Sequence, residues 1–313
     1  MRISIEKTAL LRERDRELGH ARPRLPEWLR APLPGGVRYA DIKGKLRDRQ
    51  LHTVCEEAQC PNIGECWNEG TATLMLMGDT CTRTCRFCAI KSNPLPPPLD
   101  PQEPAKAAEQ VALMGLDYVV LTSVNRDELA DGGAAHFAAT VRAIKQRSPH
   151  TLVEVLTPDF QGVARDIHTV VDAGPDVFAH NIETVEECTR SLRDRRASYA
   201  QSLQVLAEAK RHRPQVVTKS SIMLGVGETA DQVERALQAL RAHHVDAVTL
   251  GQYLRPSPWH QEVVRFVEPA EFALWKQRAA ELGFAYCASG PLVRSSYRAG
   301  EHYLRALVRG AAG

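Results

Sequence analysis

Long hydrophobic runs are missing from this 313-residue chain. No stretch approaches the roughly 20 apolar residues that a membrane-crossing helix needs, so a helical membrane protein is not expected. A dominant charge is missing too: the formal net charge is +2, which makes no general case for a nucleic-acid partner. The balance is uneven, because residues 1–50 hold thirteen Lys/Arg against seven Asp/Glu, a local +6 that leaves −4 for the rest. That segment either faces an acidic partner or is a solvated helix surface such as Lys7 to Arg16, where opposite charges alternate. No secretory pattern is present, and acidic residues are too frequent near the start for a mitochondrial transit peptide, so a cytoplasmic location is expected. Cysteine, finally, is nearly absent outside one segment. Only Cys188 and Cys287 lie apart, and both read as packed residues; a distributed disulfide framework is therefore excluded, and a chain of this size needs none to build its core.

The other six of the eight cysteines fall within 34 residues, as two triplets with different spacings: Cys55-x4-Cys60-x5-Cys66 and Cys81-x3-Cys85-x2-Cys88. Two metal centres are the natural reading. The second triplet offers three thiolates in one short loop and no obvious fourth ligand. Structural zinc closes its shell with four protein ligands, whereas three thiolates suit a four-iron cluster with one open iron.

After the cysteines, apolar β-branched runs alternate with helical patterns. Leu74–Met77, Tyr118–Leu121, Leu152–Leu156, Val177–Ala179, Val216–Met223, Ala247–Leu250 and Phe284–Cys287 read as strands. Ala105–Met114, Ala134–Gln146, Gly162–Asp172, Tyr199–Arg211, Ala230–Ala242 and Pro269–Leu282 read as helices. This alternation implies parallel strands joined by right-handed crossovers. Six or seven units are too few for a closed eight-fold barrel, so the expected fold is α/β, an open, partial (β/α)6-type TIM barrel. Functional side chains then belong in the loops at the carboxyl ends of the strands. Those loops carry the second triplet, Thr122–Gly133 with its glycine pair, Thr157–Asp159, His180–Thr184, Gly225–Glu228 and Gly251–Ser257. None of His52, His180, His243, His244 and His260 has a spacing that demands a metal.

Cys-x3-Cys-x2-Cys with Phe87 beside the last cysteine resembles the signature of the radical S-adenosylmethionine enzymes. The chain as a whole resembles the lipoyl synthases. The resemblance rests on Glu27–Arg30, Leu51–Trp67 with the first triplet, Lys219–Gly225, Gly251–Pro256 and Ala288–Tyr297, the last containing Arg-Ser-Ser-Tyr. It implies that Cys81, Cys85 and Cys88 hold a radical-generating [4Fe–4S] cluster, to whose open iron S-adenosylmethionine chelates. It implies a second, auxiliary [4Fe–4S] cluster on Cys55, Cys60 and Cys66, with Ser296 as fourth ligand; read without the family, Ser295 is an equal candidate. A serine oxygen is a poor partner for iron beside thiolates, so that corner opens readily. The implied organisation is an extension over residues 1–72, a barrel over 73–288 and a closing extension over 289–313. The implied reaction inserts two sulfur atoms at C6 and C8 of an octanoyl group on a lysine of a lipoyl carrier domain, of the glycine-cleavage H-protein or 2-oxoacid dehydrogenase E2 type. Partners would include an electron donor such as flavodoxin or ferredoxin and an iron–sulfur carrier for cluster repair. For S-adenosylmethionine, Thr122, Ser123 and Asn125, then Asn181 and Glu183, are the expected contacts, with the backbone near Phe87 facing the adenine. Lys219 and Arg255 are expected at the barrel mouth or against an acidic carrier, and Arg294 is expected to order the C-terminal segment over the second cluster. The rival readings are another radical sulfur inserter acting on a free small molecule, and a zinc or iron–sulfur binding protein without catalysis.

Overall fold

A computed structural model of the chain describes residues 25–30, 34–48, 53, 60 and 62–296. Seven parallel strands form one sheet: β1 (Thr71–Leu76), β4 (Tyr118–Ser123), β5 (Leu152–Leu156), β6 (Val177–Ala179), β7 (Val217–Leu224), β8 (Ala247–Gln252) and β9 (Tyr286–Gly290). Each pairs with the next in chain order, and β1 and β9 stand at the two ends of the sheet, where Leu74 of β1 also meets Thr53 in an isolated antiparallel bridge. A short parallel pair, β2 (Thr80–Cys81) and β3 (Lys91–Ser92), brackets the second cysteine triplet. Six crossovers join the seven strands, which is the open, partial barrel expected.

The strand sequences alternate because the sheet has an inside and an outside. Outward residues such as Val119, Leu121, Val153, Val155, Val248 and Leu250 pack under the helices in two apolar layers. Full burial of side chains such as Phe137 and Phe178 in or beside those layers stabilises the fold by roughly 1.5–3 kcal/mol each. Inward residues are polar or small. Tyr118 donates to Glu154 at 2.6 Å, and Lys219 donates to both Glu154 carboxylate oxygens at 2.8 and 3.0 Å, with all three side chains fully buried. Lys219 therefore does not reach the barrel mouth or any carrier. It closes the amino end of the barrel, beside the small apolar plug of Val177, Val217, Ala247 and Tyr286.

The crossover helices start where their sequences supply caps. Ser198 accepts from Gln201 N–H at the head of Tyr199–His212, and Thr229 with Gln232 forms a reciprocal capping box at the head of Ala230–Ala242. Helix Glu103–Met114 ends on Gly115, whose φ of +58° is the left-handed value a helix stop of this kind requires. Three short helices, Val37–Asp48, Ile63–Asn68 and Glu186–Leu192, lie outside the strand–helix alternation.

Candidate active site

The loops at the carboxyl ends of the strands converge on one cavity of about 460 Å³. Cys81, Cys85 and Cys88 line it together, at the end of β1 and its following loop. Backbone N–H groups are aimed at two of the sulfurs: those of Arg83 and Asn125 at Cys81 Sγ (3.4 and 3.3 Å), and that of Asp194 at Cys85 Sγ (3.3 Å). Such donors favour thiolate over thiol. Burial works the other way, pushing the Cys85 thiol up to about 11 and the Cys88 thiol up to about 12. A cationic group binding here would therefore displace protons from sulfurs already supplied with hydrogen bonds. No three His, Cys, Asp or Glu side chains among the described residues converge tightly enough for a single metal ion. A polynuclear centre, whose cysteines bind different irons, does not need that convergence.

Arg83, inside the triplet, is the anchor of the loop. Its guanidinium is 4% exposed and forks onto two carboxylates, Asp159 at 2.6 and 2.8 Å and Asp127 at 2.7 to 3.2 Å. Burial opposes ionisation of both acids, but the hydrogen bonds from Arg83 outweigh it and hold them below the usual carboxylate range. Thr82 extends the lock, donating to Asp127 through its hydroxyl (2.6 Å) and to Asn125 O through its N–H (3.0 Å). On the other side Asp194 accepts from Thr84 N–H (3.0 Å) and is gripped by Arg196, whose hydrogen bonds lower its pKa strongly. Asp127, Asp159 and Asp194 lie 44, 76 and 110 residues from the loop residues they hold, so no spacing in the sequence announces them.

Every residue expected to contact S-adenosylmethionine lines this same cavity: Phe87, Thr122, Ser123, Asn125, Asn181 and Glu183. Ser123 Oγ is buried without a hydrogen-bond partner, so a polar ligand group at that wall would satisfy it. Asn181 donates to Glu183 at 3.2 Å, and burial raises the Glu183 carboxyl while Arg193 and Asn181 oppose the rise. Glu183 also has φ +69°, a strained value for a non-glycine residue, which its pairing with Ile222 across to β7 maintains. His180 also lines the wall. Its Nδ1–H donates to Thr157 O (2.9 Å) and its Nε2 faces Ser202 Oγ (3.0 Å), and burial lowers its pKa to about 4, so it stays neutral.

Other loops turn out to serve the scaffold. The Gly132–Gly133 pair gives room to protein, because a Cβ on Gly133 would lie 2.2 Å from the Met77 sulfur. Glu228 accepts from Gly225 and Val226 N–H at 2.7 and 2.9 Å and closes its own turn. Arg255 is tied to the carbonyls of His260 and Pro258. Trp259 and His260 were given no role in the sequence and also line the cavity. His260 donates from Nε2 to Cys88 O at 2.8 Å, and Trp259, 60% exposed, stands edge-on to it at the cavity rim. Only their place in the loop after β8 hinted at them.

A second, tighter pocket lies on the flank left open between β1 and β9. Cys60 and Cys66 line it with Thr71, Thr73, Arg294 and Ser296; Ser295 is not among its walls. Cys55 lies outside the described residues. Asn62 donates to Leu292 O at 2.7 Å and ties the two flanking segments together across this gap. Burial raises the Cys60 thiol pKa and lowers that of Arg294, which lies close enough for each to favour the other's charge. Arg294 ties its segment to β8 by donating to Gln252 O (3.3 Å), and also donates to its neighbour's carbonyl, Val293 O (2.9 Å). One strand connects the two sites, since Thr71 and Thr73 face the second pocket and Met75 faces the first.

Known proteins share these features. Residues 75–240 match the family model of the radical SAM superfamily, and residues 5–60 match that of the N-terminal domain of lipoyl synthase. A protein of Anaeromyxobacter sp. named lipoyl synthase is 58% identical over 282 residues, covering 90% of this chain and 96% of its own. A mitochondrial lipoyl synthase of Arthroderma otae is 56% identical over 291 residues, covering 91% of this chain and 71% of its own. Among solved structures, methylornithine synthase superimposes with a TM-score of 0.53 over 88% of this chain and 91% of its own, at 13% identity, and an FeFe-hydrogenase maturase of Carboxydothermus hydrogenoformans with 0.52 over 77% and 65%, at 12%. These two likenesses speak to the fold alone. With three cysteines on one cavity of a seven-stranded open barrel, and matches to both family models, the chain belongs to the lipoyl synthase family of radical S-adenosylmethionine enzymes.

Proposed function

We propose that this enzyme inserts sulfur at C6 and C8 of an octanoyl group held in amide linkage on a lysine of a lipoyl carrier domain. The observation that carries the reading is the pair of cysteine sites sharing the inner face of β1, one in the main cavity and one on the open flank. The two carbons have neither acidity nor a leaving group, so acid–base chemistry cannot activate them. Cys81, Cys85 and Cys88 would hold an iron–sulfur cluster that, once reduced, would supply the electron for cleaving S-adenosylmethionine to methionine and a 5′-deoxyadenosyl radical able to abstract hydrogen from such carbons. The sulfur source is a second cluster, a substrate of the reaction, held by Cys55, Cys60, Cys66 and Ser296.

The chain's own residues bind, orient and exclude water. Arg83, Asp127 and Asp159 keep the cysteine loop in register with Asn125. Ser123, Asn125, Asn181 and Glu183 hold the ribose and the methionine amino and carboxylate groups, and the backbone at Phe87 meets the adenine. His180 stays uncharged at the wall and so adds no cation of its own beside the ligand's sulfonium. The acyl chain lies along Met75 between the two sites, and the gap between β1 and β9 gives it a lateral way in. Holding both reacting partners in one dry cavity supplies much of the rate advantage. An acidic carrier domain, a one-electron donor protein and an iron–sulfur carrier that rebuilds the second cluster are the partners this reaction needs. Among the described residues no helix is long and apolar enough to cross a membrane, and an oxygen-poor reducing compartment such as the cytoplasm suits such clusters.

Anaerobically reconstituted protein, incubated with S-adenosylmethionine, dithionite and an octanoyl-lysine peptide, should give peptide carrying two added sulfurs together with 5′-deoxyadenosine. 5′-Deoxyadenosine without sulfur on either the peptide or a whole octanoylated carrier domain would overturn the substrate assignment while leaving the radical chemistry.

A further inference from the structure

One exposed feature beside the first cysteine site has no task in the reaction just described. Arg86, between Cys85 and Phe87, is exposed, and its N–H donates to Leu192 O at 2.7 Å. That contact sets it against the end of helix Glu186–Leu192 and the segment after it, which carry the exposed Arg190, Arg195 and Arg196. Arg196 is committed to Asp194 and Thr82 O. Arg86, Arg190 and Arg195 have no carboxylate partner among the described residues. The acids nearest in sequence do not neutralise them: Asp194 is buried and gripped by Arg196, and Glu186 and Glu187 sit in the first turn of the helix, where Glu187 pairs with Arg235. Three guanidiniums without a carboxylate partner among the described residues thus belong to residues at, or within three positions of, the Arg86–Leu192 backbone contact; the exposed Glu262, next to the Gln261 that donates to Arg86 O, pairs with Arg255.

Beneath this surface lies a sulfur. Asp194 N–H, one residue from the exposed Arg195, donates to Cys85 Sγ at 3.3 Å, and Cys85 is flanked in the chain by the exposed Thr84 and Arg86. All three cysteines of the loop are partly buried, and what sets Cys85 apart is its bond from the arginine-bearing segment. Cys81 is engaged by the Arg83 and Asn125 amides, and the segment carrying His260 lies over Cys88. We propose that Arg86, Arg190 and Arg195 form the docking surface for an acidic one-electron donor protein, and that the electron enters at the Cys85 edge. The inference rests on the function proposed above and adds where the donor sits. The donor gives up one electron, which the cluster on Cys81, Cys85 and Cys88 accepts; no bond forms or breaks and no proton moves. A docking patch of one sign steers an oppositely charged partner and raises its association rate in a manner that salt screens.

The test uses the reconstituted full chain and its Arg190→Glu/Arg195→Glu variant, with hydroquinone flavodoxin as the acidic donor and dithionite as the small-molecule control. Cluster reduction is followed by bleaching of the iron–sulfur absorption, and donor binding is measured separately by calorimetry without S-adenosylmethionine or substrate. At low salt the variant should be reduced by flavodoxin about tenfold more slowly or worse and bind it more weakly. The difference should close near about 0.5 M salt, and dithionite should reduce both proteins at the same rate. Equal rates with flavodoxin would overturn the proposal. So would an equal loss with dithionite, which would make the arginines part of the cluster site. An unchanged flavodoxin rate with a raised KM for an octanoylated carrier domain would also overturn it and hand the patch to the carrier. If the wild-type protein forms no reducible cluster, the proposed function itself fails.

Discussion

Single side chains carry the sharpest energetic demands in this molecule. Arg83→Gln would leave Asp127 and Asp159 facing each other across a buried gap, and we expect a loss of about 3–5 kcal/mol in denaturant unfolding of the cluster-free protein. Asp159→Asn, which keeps one oxygen acceptor and leaves Asp127 in place, should cost less. His180 sets a pH dependence with a definite sign. Its folded pKa of about 4 lies below the unfolded value of about 6.5, because burial disfavours the imidazolium. The unfolded chain therefore takes up the proton first as pH falls. The contribution is complete above about pH 6.5 and is lost progressively down to about pH 4, about 3 kcal/mol in all. Unfolding free energies across that window should be flatter in His180→Gln, and parallel curves would refute the assignment. At this scale the sequence spoke clearly only where one short segment holds all the chemistry. The second triplet declares itself in eight residues, but Arg83 finds its partners 44 and 76 positions away. Lys219 looked like a mouth residue because nothing in its strand names Glu154, two strands over, as its counter-ion.

Elements were more legible than residues. Val177–Ala179, Leu152–Leu156 and Ala230–Ala242 fall where the apolar runs and the helical period put them, because a parallel strand under helices must be apolar outward and a crossover helix must be apolar on one stripe. Helix Glu186–Leu192 did not show itself, being only seven residues long with charge at both ends. Two expectations belong to this scale. Thr229→Ala removes the capping box of Ala230–Ala242 and should cost about 1 kcal/mol by chemical denaturation, with little effect on either cysteine site. Gly251→Ala is different in kind. A Cβ there would fall 2.0 Å from Val293 O, so the segment carrying Arg294 and Ser296 must move away from β8. Reconstituted Gly251→Ala should keep its first cluster and lose most of the second, read as a drop in bound iron from about eight toward about four per chain.

The whole molecule separates the two sites by architecture. The main cavity is assembled from loops that successive crossovers deliver to one end of the barrel, whereas the second pocket lies between the start of β1 and the segments before β1 and after β9. Cys60→Ala should therefore still cleave S-adenosylmethionine to 5′-deoxyadenosine when reduced, with no sulfur reaching the octanoyl chain, and Cys85→Ala should do neither. Mass spectrometry of the peptide beside nucleoside chromatography checks both. The places of β1 and β9 at opposite ends of the sheet have one more implication, for the order of events during synthesis. Asn62 meets Leu292 only after 230 residues have passed between them, and that closure joins the opposite ends of an otherwise consecutive barrel. A nascent chain holds every strand that bears the first site before the segment around Leu292 has been made. The second cysteine pocket, by contrast, has to wait for the segment that carries Leu292, Arg294 and Ser296, so the first site can be assembled before the second exists.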